Sequence, residues 1–123
     1  MPLTSGRHTN GMLTRTAGAA ITRGQALKIT TGDVVVACAG DTDTAVYIAM
    51  DNAAPGEHVP CATLGNTPGT LLVLATTALT PGAAVGVLGQ AAASDAVIIG
   101  RALESGAAGE EVEIAHNAAR ILE

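Results

Sequence analysis

Aromatic side chains are almost missing from this chain, which has no Phe, no Trp and a single tyrosine, Tyr47. Aromatics bury the most area per residue, so the core has to be assembled from Val, Ile, Leu and Ala. A domain of this size hides only roughly two-thirds of its unfolded surface, and without aromatics that core is thin. Part of the stabilisation is therefore expected from a partner subunit or surface. Long apolar runs are missing too. Stretches such as Val34 to Ala39 and Leu71 to Ala75 fall far short of the ~18 residues that a membrane-spanning helix needs, so the hydrophobic fraction of 48% implies a soluble chain and no membrane partner. Met1 to Asn10 is polar with no apolar segment behind it, which predicts no secretory leader and synthesis in a cytoplasm.

Cysteine is scarce. Cys38 and Cys61 are the only two, too few for a dense disulfide framework or a four-ligand zinc site, and both read as buried free thiols. Acidic residues are absent from residues 1–32, which carry Arg7, Arg15, Arg23 and Lys28 for a balance of +4. Residues 33–123 hold all 11 acids against Arg101 and Arg120, a balance of −9. An acidic body with one aromatic offers neither an extended phosphate-neutralising face nor stacking platforms, so direct nucleic-acid binding is not expected.

What is present is a β pattern. The 123 residues suit one domain, and apolar residues recur with period two, or in short runs bounded by Gly, Pro, Asp and Asn, without a sustained helical stripe. Strands are predicted at Gln25 to Thr30, Asp33 to Cys38, Ala45 to Met50, Glu57 to Ala62, Thr70 to Ala75, Ala83 to Leu88, Ala96 to Leu103 and Glu110 to His116. Gly32, between the first two, supplies the positive φ of a tight hairpin.

The chain also repeats itself, approximately over 17–65 and 75–117. Ile21-Thr22-Arg23-Gly24 aligns with Leu79-Thr80-Pro81-Gly82 at an offset of 58, and Gly56-Glu57-His58-Val59 aligns with Gly109-Glu110-Glu111-Val112 at an offset of 53. Two related β-units, each covering the apolar face of the other, predict an all-β barrel or sandwich. The repeat sets Cys61 in the slot of Ile114 and His58 in that of Glu111, so alternation turns Cys61 inward with Val59 and His58 outward. Residues 1–16 lie outside the repeat and are expected to form a flexible arm before a single β-domain at 17–123. Asn117 to Glu123 is left as either a frayed extension or a docking segment.

Catalytic and ligand-binding patterns are weak. Ser5, Ser94 and Ser105 sit in no nucleophile elbow. Cys61 and His58 are three apart on a strand and so point to opposite faces, as a core thiol and a surface imidazole do. His8, His58 and His116 are scattered and read as solvated, Asp41-Thr42-Asp43 lacks the glycine and distal glutamate of a calcium loop, and Gly82, Gly86 and Gly89 precede no helix that could complete a phosphate loop. No catalytic residue, metal or cofactor is expected, and the chain is not expected to be an enzyme.

Several segments together resemble a known family: Ile21-Thr22-Arg23-Gly24-Gln25-Ala26-Leu27-Lys28-Ile29, the hairpin strand Val34-Val35-Val36, the stretch Ile48 to Val59, and the closing Gly100-Arg101-Ala102-Leu103-Glu104 with Ala107 to Val112. Over residues 17–116 the chain is similar to the capsid-cement, or head-decoration, proteins of tailed phages. The resemblance implies a bacteriophage virion protein that forms a homotrimer on the outer surface of the expanded capsid, clamps the major capsid protein against internal DNA pressure, and needs no catalytic group. It also implies an arm that orders on the shell.

An arm of free backbone donors and acceptors can add a strand to an exposed sheet edge, with Leu3, Met12 and Leu13 filling alternate pockets and Arg7 and Arg15 meeting carboxylates. Three arms on a trimer would raise a modest single-arm affinity through effective concentration. Two other readings stand beside this one. The first is a β-clip-like module binding a small ligand or carbohydrate, disfavoured by the lack of aromatics, and the second is an enzyme using Cys61 or His58.

Overall fold

The computed structural model describes residues 12–121, and among them every regular element is a strand. The first unit holds β1 (Met12–Ala17), β2 (Ala26–Thr31), β3 (Val34–Ala37), β4 (Tyr47–Ala49) and β5 (His58–Thr63), closed into a barrel in the order β1-β3-β2-β4-β5. The second holds β6 (Leu71–Leu74), β7 (Ala84–Gly86), β8 (Val97–Ala102) and β9 (Glu111–Ile121), an open sheet in the order β6-β9-β8-β7. The hairpin predicted at Gly32 joins β2 to β3 with φ +56° at the glycine. Pro60 is accommodated inside β5 because its carbonyl accepts the Met50 N–H at 2.8 Å just past the end of β4, so its missing N–H also faces that end and not the ladder with β1.

The two units repeat hydrogen bond for hydrogen bond. Ile21 bridges Ala53 as Leu79 bridges Gly106. Gly24 N–H donates to Ala49 O as Gly82 N–H does to Ala102 O, and Ala17 N–H donates to Glu57 O as Ala75 N–H does to Glu110 O. Glu57 and Glu110 each turn a carboxylate oxygen back onto an N–H three residues earlier, Ala54 and Ala107, at 2.7 Å in both. Cys61 and Ile114, like Val59 and Val112, are fully buried, while His58 is exposed, as alternation requires.

One boundary differs from the sequence reading. Residues 12–16, expected in a free arm, form most of β1, which pairs antiparallel with β5 from Met12↔Ala62 to Thr16↔His58 and parallel with β3 at Thr16↔Val34. β1 is the counterpart of β6, so the repeat begins earlier than 17. Thr14, Arg15 and Thr16 hide the strand because they carry no apolar alternation. At the other end, residues 117–121 continue β9 and pair with β8 at Val97↔Ile121 and Ile98↔Arg120.

The second unit stays open because β3 has no full counterpart. Only a bridge between Val85 and Ala91 stands where β3 would pair, in the stretch Ala91-Ala92-Ala93 that lacks β-branched residues. In the barrel, β3 meets β1 through Thr16 N–H to Asp33 O and Gly18 N–H to Val35 O. In the second unit the equivalent donors, Leu74 N–H and Thr76 N–H, are met by the carbonyls of Gly24 and Gly89, both at 3.0 Å. A side chain at either glycine would collide: a Cβ on Gly24 would stand 2.7 Å from Leu74 N, and one on Gly89 would overlap the Leu74 carbonyl oxygen.

Two apolar clusters follow. Ala17, Ile21, Leu27, Val35, Tyr47, Ala49, Ala53, Val59 and Cys61 fill the barrel, where five strands leave room for small side chains around the one tyrosine. Ala26, Ile48, Ala62 and Leu64, on the outer face of the same strands, pack with Val73, Val85, Ile99, Val112 and Ile114 of the second sheet. β4 is thus buried on both faces, with Tyr47 and Ala49 turned into the barrel and Ile48 into the seam between units.

Candidate functional site

The sequence placed its site on Leu3, Arg7, Met12, Leu13 and Arg15. Leu3 and Arg7 lie outside the described residues. The other three are barrel residues: Met12 packs against the seam and Leu13 against the barrel core. Arg15 lays its guanidinium 5.7 Å from the Tyr47 ring centroid and directs Nε to the Tyr47 hydroxyl at 3.3 Å. That cation–π contact and hydrogen bond hold Arg15 within its own barrel, and Tyr47, 5% exposed, has no ring face left for a ligand.

The remaining groups that could carry chemistry are engaged in structure. Burial pushes the Cys61 thiol up to about 11, and its Sγ lies 3.4 Å from Val59 O, with His58 on the opposite face of β5. Burial, with the nearby Asp43 carboxylate, raises Cys38 to about 11 as well. Asp43 Oδ2 accepts the N–H groups of Gly40 and Ala39 and the Lys28 ammonium, at 3.0, 2.8 and 3.0 Å, which holds its carboxyl down at about 2. The Asp41–Asp43 segment is therefore a self-satisfied turn, tied to the second unit by Val97 N–H donating to Asp41 O at 2.9 Å.

His116 differs from the solvated reading. Its Nδ1 accepts the Gly65 N–H and its Nε2 donates to Thr67 O, both at 2.9 Å, so it clamps the loop between β5 and β6 onto β9. Among the described residues no group of three His, Cys, Asp or Glu side chains could hold a metal ion, and there is no helix long and apolar enough to cross a membrane.

The surface feature that stands out is a groove of about 560 Å³ between the units. β6 forms one wall with Thr70 and Leu72, and Met50, just after β4, forms the other. Leu72 is 49% and Met50 37% exposed. Arg23 spans the groove to Glu111 with two hydrogen bonds, Nε to Oε1 at 3.0 Å and a terminal nitrogen to Oε2 at 2.7 Å. Glu113 lies opposite Leu72 in the β6–β9 ladder and accepts the Thr70 hydroxyl. Leu103, 48% exposed, flanks Glu113 on its other side, its N–H donating to Glu113 O at 2.9 Å. The outer face of the second sheet therefore mixes exposed leucines with carboxylates. The repeat could have pointed to this face, since Leu72 stands where the first unit has Thr14.

No protein-family model matches this sequence, and no curated protein matches it. Among solved structures the chain is similar to the N base of the head fiber gp8.5 in bacteriophage phi29, with 17% sequence identity and a TM-score of 0.70 over 91% of this chain and 98% of that one. The two-unit, all-β architecture described above is accordingly a fold that this chain shares with that head fiber base.

Proposed function

We propose that this chain is a non-enzymatic structural protein of a phage head, a decoration protein that sits on the outer surface of the capsid as a homotrimer and contacts the major capsid protein. The observation that carries this reading is the near-complete mutual coverage, 91% and 98%, between this fold and a head fiber base. An accessory fiber base and a cement protein share one physical task, which is to hold a small folded body on a shell without turnover. Thiols held protonated by burial, and a carboxylate and an imidazole consumed by turns and loops, suit that task. Cys61 and His58 point to opposite faces, which leaves the enzymatic reading without a dyad. The carbohydrate-module reading loses its support because Tyr47 is enclosed in the barrel.

With Met12, Leu13 and Arg15 committed to the barrel, Leu3 and Arg7 are the arm residues left to contact anything beyond it. The test is co-sedimentation of purified protein with undecorated mature heads of the phage that encodes it. Saturable pelleting at a stoichiometry set by the capsid lattice is expected. Absence of binding at micromolar protein would overturn the reading.

A further inference from the structure

β6 keeps part of its backbone unpaired. Ala75 bonds toward β9, donating to Glu110 O at 2.8 Å and accepting the Gly109 N–H at 2.7 Å. In an antiparallel ladder the direction alternates, so Leu71 and Val73 also bond toward β9, while Leu72 and Leu74 turn their N–H and C=O the other way. Leu74 N–H is met by Gly24 O. The Leu72 groups face the groove, whose apolar walls are Leu72 and Met50 and whose acidic rim is Glu113. An open strand edge beside exposed apolar side chains is a template for another extended chain.

We propose that this edge receives residues 1–11 of a neighbouring copy, added as a strand against Leu72. The segment MPLTSGRHTNG contains Arg7 and no acid. Leu3 and Arg7 are four residues apart, so on an extended chain they share one face, which matches a groove apolar at Leu72 and Met50 and acidic at Glu113. Arg23 neutralises Glu111 within the chain, which leaves Glu113 as the carboxylate for an incoming cation. Of the four basic residues in 1–32, Arg15, Arg23 and Lys28 are engaged within their own chain by Tyr47, Glu111 and Asp43, which leaves Arg7 as the cation that segment 1–11 brings to Glu113. Each copy donates one segment and accepts one, so the contact links copies through two different surfaces of the same chain. Self-assembly of this kind needs no shell, so it stands or falls separately from head binding.

The test is a mixed-copy crosslink on the full chain in a Cys38→Ser background, without heads present. One protein carries Leu3→Cys and the other Leu72→Cys. Mild oxidation is expected to give a covalent dimer from the mixture and at least fivefold less from either protein alone. Glu113→Arg in the acceptor should cut the yield at least fivefold, and Arg7→Glu in the donor should restore it. Equal yields with and without mixing, or a doubly substituted chain that crosslinks only within itself, would overturn the proposal. As a second measurement, Leu72→Pro removes the outward N–H without touching the β9 ladder. It should reduce the mass in light scattering to that of one chain while the circular dichroism melt stays cooperative, and an unchanged oligomer would equally refute the docking site.

Discussion

Replacing Gly89 with alanine tests the seam between the units most directly, and Gly109→Ala is its natural control. Gly89 sits at φ +79° and Gly109 at φ +90°, so in either case a Cβ adds left-handed strain of about 1–2 kcal/mol. The surroundings differ. Nothing lies within 4 Å of a Cβ on Gly109, whereas a Cβ on Gly89 overlaps the Leu74 carbonyl oxygen and comes 3.5 Å from Ala75 Cα. β6 has to move away, and the bond from Thr76 N–H to Gly89 O, 3.0 Å long, is lost. A hydrogen bond is worth about 1 kcal/mol, and a donor left unpaired about 1–3 kcal/mol more. The predicted losses are therefore about 1–2 kcal/mol for Gly109→Ala and about 3–6 kcal/mol for Gly89→Ala. At about 3–5 °C per kcal/mol for a chain of this length, the two melting temperatures should differ by roughly 10 °C, read by far-ultraviolet circular dichroism. Equal losses at the two sites would show that the second unit does not depend on a glycine carbonyl in place of a third-strand contact, and would refute the account of the seam.

Three further outcomes follow from the same geometry. Asp43 is held at about 2 against an ordinary 3.8, so its contribution to the 39–43 turn is fully present above pH 3.8 and is lost as pH falls through about 2. Amide exchange at Ala39 and Gly40 should accelerate over that window, and Asp43→Asn should abolish the pH dependence while weakening the turn at neutral pH. Cys61, raised to about 11 and fully buried, should resist a thiol-reactive disulfide at pH 8 in the native protein and react in urea; rapid native reaction of both cysteines would contradict the packing of the barrel. His116→Ala should cost about 1–3 kcal/mol, from two hydrogen bonds that join the β5–β6 loop to β9, measured by urea denaturation, with a loss below experimental error counting against the clamp.

Much of this architecture is legible in the residues, and the misses have physical causes. β2 to β8 stand where the period-two runs predict them, and β9 starts there too, because their apolar residues meet a core on at least one face. β1 escapes notice since its inward positions are Leu13, Arg15 and Ala17, and an arginine breaks the alternation; Arg15 is tolerated there only because Tyr47, 32 residues away, supplies both a ring face and a hydroxyl. Contacts of that kind leave no local trace. The same holds for Gly89, whose spacing suggests a turn but whose close partner is the backbone of Leu74.

The asymmetry between the units, by contrast, is written in the sequence as arithmetic. The repeat offset is 58 before the first hairpin and 53 after it, so the second unit is shorter by five residues, about the length of one strand. The strand without a full counterpart is β3, which lies in that interval and closes the first unit. Losing it opens the second sheet, and an open sheet must cover or use its edge. Gly24 and Gly89 cover the end of β6 at Leu74 and Thr76, but no described residue hydrogen-bonds to the outward backbone of Leu72. A second repeat that is shorter by a strand therefore has, where the first unit closes its barrel, an open edge with a place for one more strand, and that edge is the one proposed to receive residues 1–11 of a neighbouring copy.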